Sequence, residues 1–150
     1  MIRRVVEADA AVWVQLTDIH AASFERGWSA AELQRMAAAA HNRLYVFESE
    51  GAWMSFLLLT AVAGEGEILT VATAPQHRGQ GHAGRLLAHA AQALAAENAE
   101  AICLEVAVDN GAARALYDRA GFKAVGLRKA YYARAGGPAV DACILRLALA

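Results

Sequence analysis

Hydrophobic and polar positions along this chain predict a mixed α/β order. Apolar residues three and four apart indicate helices, and short apolar runs bounded by turn residues indicate strands. We predict helices at about 7–23, 29–41, 83–94 and 110–120, and strands at 2–6, 43–48, 52–62, 68–73, 101–108, 122–132 and 140–149. The order βααβββαβαββ has one parallel crossover with antiparallel pairs on both sides. It predicts an α/β fold with a mixed sheet of about seven strands, one central βαβ unit and about four helices.

Local signals mark the ends of several elements. Ser29 is predicted to cap the second helix, because Glu32 follows it at the capping-box spacing. Gly121 is predicted to end the last helix. Turns are predicted at 49–51 and 64–66, and a longer loop at 135–138.

A glycine-rich turn follows the apolar strand 68–73 and precedes the third helix. It reads Arg78-Gly79-Gln80-Gly81-His82-Ala83-Gly84. Glycines let the backbone come close to a phosphate, and the first N–H groups of a helix have no partner within the helix. We therefore predict an anion-binding loop between Arg78 and Gly84.

Two interpretations of these glycines compete. As Gly-x-Gly-x-x-Gly, with Glu105 placed 21 residues beyond Gly84, the stretch matches a nicotinamide-binding turn. However, residues 75–78 separate Gly79 from the strand, and Glu105 is interior to its own strand. Only 45 residues follow Glu105, which is too few for the repeated βαβ units of a doubly wound sheet. A nicotinamide-dependent oxidoreductase is therefore the remote alternative.

The second interpretation takes Arg78-x-x-Gly81-x-Ala83 as the unit. This unit resembles the pyrophosphate loop (Gln/Arg)-x-x-Gly-x-(Gly/Ala) of the acetyl-CoA-dependent N-acetyltransferases that share the GNAT fold. The resemblance implies one GNAT domain over residues 1–150. It also implies acetyl-CoA as the co-substrate.

Composition sets further bounds on function. The 150 residues suffice for one domain with a sizeable core. With 14 basic and 15 acidic residues the net charge is −1, so we expect neither nucleic acid nor an anionic membrane as a partner. The longest apolar stretch, near 52–63, is shorter than the ~20 residues that span a bilayer. Cys103 and Cys143 lie in apolar runs, which indicates buried thiols in a reducing compartment and favours the cytoplasm.

Glu105 is the first candidate for chemistry. It is the only charge between Ile102 and Ala107, and strand alternation places it on one face with Cys103 and Ala107. Burial of a carboxylate among apolar groups raises its pKa, and such a carboxylate is a useful base near neutral pH. The alternative is an edge carboxylate that pairs with a basic side chain.

Tyr117 is the second candidate. It lies seven residues after Asn110, about two helical turns, so the two side chains face the same way. A phenol with a pKa of about 10 can protonate a departing thiolate, whose conjugate acid has a pKa of about 8.5. The alternative is a core tyrosine beside Leu116.

The histidines predict no metal site. His20, His41, His77, His82 and His89 show neither an HExxH pattern nor paired Cys/His spacing. His82 at the start of a helix could meet a phosphate, although a solvated position is the simpler interpretation.

Several motifs together resemble one group of enzymes. Leu104-Glu105-Val106, Asn110-x-x-Ala113, 115–122 (Ala-Leu-Tyr-x-x-x-Gly-Phe) and 128–132 (Arg-Lys-Ala-Tyr-Tyr) occur in the order typical of the RimI-type ribosomal-protein alanine N-acetyltransferases. Trp28-Ser29 also matches. The likeness extends from about residue 65 to 149. The chain departs from this group at Gly27 and Ala107, where the group often has Pro and Arg.

The resemblance implies roles for individual residues. Glu105 falls at the general base and Tyr117 at the general acid, while Asn110 falls where an amide contacts the coenzyme. Tyr131, Tyr132 and Trp28 fall on the peptide side. The strand end Val71-Ala72-Thr73 falls where the backbone pairs with pantetheine, and Arg78, Gly79, Gln80, Gly81, His82, Ala83 and Gly84 fall on the diphosphate.

The reaction that fits is direct acetyl transfer to an amine without a metal. The attacking amine must be neutral. At pH 7.4 roughly a quarter of an α-amine is neutral, against about 0.1% of a lysine side chain, so one glutamate suffices for an N-terminal substrate. The preferred acceptor is therefore an N-terminal amine, and the resemblance implies that it belongs to a ribosomal protein. The alternative is a small-molecule amine, which an acidic pocket around Asp109, Asp118 or Asp141 would favour. We expect a monomer or a weak dimer.

Overall fold

The computed structural model describes residues 1–24 and 27–149, which form seven strands and four α-helices. The strands are β1 (Ile2–Val5), β2 (Asn42–Ser49), β3 (Ala52–Val62), β4 (Glu65–Thr73), β5 (Ala101–Ala107), β6 (Lys123–Arg134) and β7 (Gly137–Ala148). The helices are α1 (Ala10–Ala21), α2 (Ala30–Ala38), α3 (His82–Ala96) and α4 (Gly111–Arg119), with a 3-10 turn at Pro75–His77. The predicted element order is confirmed.

The strands form one mixed sheet in the order β1-β2-β3-β4-β5-β7-β6. All neighbours are antiparallel except β4 and β5. These two parallel strands pair only where Glu65–Glu67 lies beside Ala101–Cys103. Beyond that point the strands separate toward their carboxyl ends. The separation leaves a cleft in the middle of the sheet, and it rules out the continuous parallel sheet of a nicotinamide-binding domain.

Apolar side chains on the two faces of the sheet build two core layers. On one face Leu57 and Leu59 pack with Leu86 of α3. On the other face Phe56 and Leu58 pack with the layer that belongs to α1 and α2. Strand alternation produces this division, because successive side chains of β3 point to opposite faces. The strands that form both walls of the cleft are therefore fixed by packing against the helices on the two faces of the sheet.

The turns differ slightly from the predicted ones. The hairpin between β2 and β3 has Glu50 at φ 52° and Gly51 at φ 79°, as predicted for 49–51. The next turn centres on Ala63 (φ 54°) and Gly64 (φ 80°), before the predicted 64–66. The type I′ turn of a two-residue hairpin has positive φ at both central residues, and in these two turns a glycine occupies the second of them. Gly66 is instead buried within β4.

The loop predicted at 135–138 is also shorter than expected. β6 runs to Arg134 and β7 starts at Gly137, so only Ala135 and Gly136 connect them. Gly136 has φ 73°, which suits a tight hairpin turn. Both strands are therefore longer than their hydrophobic pattern indicates.

Replacing Ser29 by alanine is expected to lower the free energy of unfolding by about 1 kcal/mol. The Ser29 hydroxyl accepts the Glu32 N–H at 3.1 Å and so satisfies one unpaired donor at the start of α2. Urea unfolding at pH 7.5 measures the change. Ser49→Ala, at an exposed strand end, is the control and should stay within about 0.5 kcal/mol. Equal effects of the two substitutions would show that the cap contributes nothing.

Candidate active site

A cavity of about 960 Å³ opens where β4 and β5 separate. Its walls come from the end of α1, from β4 and β5, from α4 and from β6. Many of the residues singled out by sequence line it. These are Trp28, Val71, Ala72, Thr73, Arg78, Gly79, Ala83, Glu105, Asn110, Tyr117 and Tyr132.

Five other candidates lie outside this cavity. Gly81 and Gly84 line a second cavity of about 330 Å³ between α3 and α4. The His82 side chain is buried, and its ring packs at 4.2 Å from the Phe47 ring. Its Nε2 lies 3.1 Å from Gln80 Oε1. The solvated position of His82 is therefore wrong, because this ring is buried, whereas a contact of His82 with a phosphate stays a prediction.

The fifth residue outside the cavity is Tyr131. Its side chain is exposed, and the guanidinium of Arg128 lies 4.6 Å from the centre of its ring. Tyr131 and Tyr132 meet edge to face at 4.9 Å. Of the predicted tyrosine pair, only Tyr132 borders the cavity.

The loop before α3 has the backbone geometry of an anion site. Gly79 has φ 75° and Gly81 has φ 85°, a region that residues with a side chain rarely adopt. Gly81 is the N-cap of α3 and no side chain caps the helix there. The first N–H groups of α3 therefore remain available, together with the positive end of the helix dipole. A diphosphate fits this donor set.

Glu105 faces the cavity. The sequence predicted apolar surroundings for it, but a charged side chain lies beside its carboxylate. Its Oε1 lies 3.0 Å from Arg128 Nη2, and its side chain is 20% exposed. The hydroxyl of Tyr132 donates a hydrogen bond of 3.1 Å to the Glu105 carbonyl oxygen. The predicted pairing with a basic side chain is therefore confirmed, while the role of Glu105 as a base stays a prediction.

A bulge in β6 brings Arg128 and Tyr132 to Glu105. Between these two residues β6 advances four positions while β7 advances two, from Ala142 to Val140. Within the bulge Ala130 has φ 50°, and its N–H donates to Asp141 Oδ1 at 2.8 Å. The extra residues turn the strand locally. The arrangement around Glu105 therefore depends on a backbone irregularity that Asp141 stabilises.

Tyr117 is buried on α4, and its ring meets Phe122 edge to face at 5.7 Å. Burial raises the pKa of Tyr117 to about 12. The phenol therefore keeps its proton throughout the neutral range. Among the residues that the structure describes, none forms a hydrogen bond with its hydroxyl. Tyr117 can thus donate a hydrogen bond to a group in the cavity, and it cannot act there as a base.

Asn110 has two tasks at the start of α4. Its Oδ1 accepts the Ala113 N–H at 3.2 Å and caps the helix. The carboxamide also borders the cavity. Since Oδ1 is used by the cap, the NH₂ group is the part of the side chain that remains to bind a ligand.

Sequence reasoning predicted Trp28 on the acceptor side but missed the rest of the aromatic wall at the end of α1. The ring of His20 stacks on Phe24 at 4.4 Å and on Trp28 at 4.7 Å, and all three line the cavity. The backbone N–H of Trp28 donates to His20 Nδ1 at 3.3 Å. Burial lowers the pKa of His20, which keeps the ring neutral and able to accept this bond. The available signal was the position of His20 on the buried face of α1, next to Ile19.

Two other kinds of site lack support in residues 1–24 and 27–149. No group of three or more His, Cys, Asp or Glu residues there could hold a metal ion. Cys103 and Cys143 are free, and they are not opposite each other, because Cys103 pairs with Arg146 in register. Burial raises the pKa of Cys103, so its thiol stays protonated.

Among the residues that the structure describes, no helix is long and apolar enough to cross a membrane.

The buried phenol of Tyr117 is expected to make the fold sensitive to alkali. Its folded-state pKa of about 12 lies above the ordinary value, so its contribution to stability is complete below pH 10 and is lost as pH rises through 12. The free energy of unfolding should therefore fall by about 2 kcal/mol more in the wild type than in Tyr117→Phe between pH 8 and 11.5. Urea unfolding at both pH values measures the difference. Parallel decreases would show that Tyr117 ionises without penalty.

Comparisons with known proteins agree with this geometry. Residues 13–122 match the model of the Acetyltransferase (GNAT) family. The ribosomal protein bS18-alanine N-acetyltransferase of Haemophilus ducreyi is 30% identical over 99% of this chain and 100% of that protein. The N-alpha-acetyltransferase RimI of Mycobacterium tuberculosis is 33% identical over 75% of this chain and 72% of its own length. The crystal structure of the ribosomal-protein-S18-alanine N-acetyltransferase from Escherichia coli superposes with a TM-score of 0.87 at 23% identity, over 100% of this chain and 95% of that one, which shows the same fold.

Proposed function

Because this chain belongs to the GNAT family of acetyltransferases, we propose that it transfers acetyl from acetyl-CoA to the N-terminal α-amine of a ribosomal protein. One observation carries the proposal. A single cavity between the separated strands β4 and β5 is lined by Gly79 of the anion loop, by Glu105 and by Tyr117. Acetyl-CoA bound in this cavity would have its diphosphate at the backbone amides near Gly79 and its thioester near Glu105 and Tyr117. The names of two relatives support the choice of acceptor, since one is a ribosomal protein bS18-alanine N-acetyltransferase and the other an N-alpha-acetyltransferase.

The residues present fit acetyl-CoA. Gly79 and the free N–H groups at the start of α3 would hold the diphosphate, and the unpaired edge of β4 at Val71–Thr73 would bind the pantetheine arm. The carboxamide NH₂ of Asn110 is placed to contact the same arm. When bound, the coenzyme supplies an activated acetyl group as a thioester.

Glu105 acts on the acceptor amine. An α-ammonium group entering the cavity would meet the Glu105 carboxylate, which accepts its proton directly or through one water molecule. Arg128 now occupies one oxygen of that carboxylate, Oε1. The acceptor therefore approaches the other oxygen or displaces the guanidinium of Arg128, whose side chain is half exposed.

Tyr117 acts at the other end of the reacting bond. Its phenol holds a proton and borders the cavity, so it can donate a hydrogen bond to the departing sulfur. Tyr132, the neutral His20 and Trp28 form the walls on the acceptor side. These walls are aromatic and suit the backbone and first side chains of a peptide.

A small polyamine is the weaker candidate for the acceptor. The acidic pocket that would favour it is not formed, because Asp109 pairs with Arg134 at 2.9 Å and Asp141 holds the β6 bulge. Asp118 is exposed on α4 and does not line the cavity. Glu105 is the one carboxylate among the described residues that line the cavity, against two arginines, Arg78 and Arg134. Such a lining does not attract a polycation.

An acceptor panel tests the proposal. The protein is incubated with acetyl-CoA and, in separate reactions, with peptides that begin with a free alanine, with the same peptides blocked at the N-terminus but carrying lysine, and with spermidine. Release of free thiol is followed. We expect turnover with the free N-terminus only. Preferential turnover of spermidine or of blocked lysine peptides would overturn the choice of acceptor.

We place the reaction in the cytoplasm, where ribosomal proteins are made and where free thiols such as Cys103 and Cys143 stay reduced. A monomer or a weak dimer is sufficient for it, because all the groups named above come from one chain.

A further inference from the structure

The side chain of Arg78 is directed to acceptors outside the anion loop. Its Nε donates to the Thr73 carbonyl oxygen at 3.1 Å. Its Nη2 donates to the Ala22 carbonyl oxygen at 3.3 Å and to Ser23 Oγ at 3.0 Å. The Ser23 hydroxyl in turn donates to the Ile19 carbonyl oxygen at 3.2 Å. The first residue of the anion loop is thus tied to the end of β4 and to the end of α1.

These bonds join two walls of the cavity that are far apart in sequence. Ser23 and Arg78 are 55 residues apart. Ser23 lies next to Phe24, which stacks on His20 in the acceptor wall. Gly79, next to Arg78, begins the glycine turn that is available to the diphosphate. A guanidinium suits such a junction, because its planar fork donates to several acceptors at fixed angles.

We propose that Arg78 is a positioning residue that couples the anion loop to the acceptor wall. A diphosphate that fixes the backbone at Gly79 also fixes the guanidinium, which then holds Ala22 and Ser23 in place beside the aromatic wall. Coenzyme binding therefore strengthens acceptor binding. By linkage, acceptor binding strengthens coenzyme binding by the same factor. This inference rests on the proposed function, since it assigns a coenzyme to one wall and a peptide N-terminus to the other.

The coupling is measurable by calorimetry with desulfo-coenzyme A, which cannot carry acetyl. Its Kd is measured alone and with a saturating alanine-initiated peptide, and the ratio of the two values is the coupling factor. We expect a factor of about five or more in the wild type, which is the lower end of the usual coupling between two sites. Arg78→Lys keeps the charge but loses the fork, and Ser23→Ala removes one acceptor. Each should reduce the factor to below about two.

The double variant makes the test specific. If Arg78 and Ser23 act as one unit, Arg78→Lys/Ser23→Ala should reduce the factor no further than either single change. In Ser23→Ala, which changes no residue of the anion loop, the Kd of desulfo-coenzyme A alone should stay within about twofold of the wild type. Arg35→Lys, on the exposed side of α2, is the control and should leave the factor unchanged.

The outcomes separate this inference from the proposed function. A wild-type factor of one, or a factor that survives in both single variants, overturns the coupling role. Weaker coenzyme binding by Arg78→Lys with an intact factor shows that Arg78 simply binds the diphosphate. A wild type that takes up no desulfo-coenzyme A at all removes the proposed function, and the inference with it.

Discussion

Glu105→Gln is expected to lower kcat/KM about 10²- to 10³-fold at pH 6.5 and by much less at pH 9. Below pH 7 an α-amine is almost entirely protonated, and glutamine cannot accept its proton. Above pH 8 most of the amine is already neutral, so a base contributes less. Initial rates of thiol release from acetyl-CoA with an alanine-initiated peptide, measured from pH 6 to 9.5, give the profile.

Arg128→Gln is the matched control for this prediction. Glu105→Gln removes a base and also an ion pair of 3.0 Å, whereas Arg128→Gln removes the ion pair and the contact of Arg128 with the Tyr131 ring but keeps the carboxylate. If Glu105 is the base, Arg128→Gln should keep a wild-type pH profile with a smaller loss. A loss of equal size in both variants, constant across the pH range, would instead mean that the pair only shapes the cavity.

Tyr117→Phe is expected to lower kcat about 100-fold while the Kd of coenzyme A stays unchanged. The phenol of Tyr117 has a pKa of about 12, so it is a weak acid beside a thiol of about 8.5. Complete proton transfer to a solvated thiolate would be uphill by about 5 kcal/mol. The contribution of Tyr117 is therefore a hydrogen bond to the sulfur as negative charge develops, which affects the transition state more than the bound coenzyme. Single-turnover rates and calorimetry separate the two quantities.

Tyr45→Phe is the control for the loss of a buried tyrosine hydroxyl. Tyr45 lies in the same core as Tyr117 but outside the cavity. It should leave kcat within about twofold of the wild type. A raised Kd of coenzyme A in Tyr117→Phe, or an equal decrease of kcat in both variants, would give Tyr117 a structural role only.

Local patterns in the sequence were sufficient for the elements and for the anion loop. The cap that Ser29 provides for α2, and the hairpin at Glu50–Gly51, depend on backbone geometry within a few residues. The glycines at 79 and 81 likewise indicate positive φ wherever the turn is placed in the fold. Interactions over such short distances act in the same way in a peptide and in the folded protein. The family was predicted from the same local motifs, and the match over residues 13–122 confirms it.

Contacts between distant segments could not be predicted in this way. The ion pair between Arg128 and Glu105 requires a two-residue bulge in β6, and no residue pattern in that strand indicates its position. His82 was expected near phosphate or solvent, yet its ring packs on Phe47 of β2. Which side of α3 meets the sheet depends on the helix as a whole and not on its first residue.

By itself, the sequence determined the order of the elements, the glycine turn and the identity of the residues that could do acid–base chemistry. The tertiary structure decided which of them meet. Strands β4 and β5 pair at one end and separate at the other, so that Gly79, Glu105 and Tyr117 border one cavity. The physical reason is that periodicity specifies which face of a strand is buried, whereas register and strand separation result from packing of the whole sheet between its two helical layers.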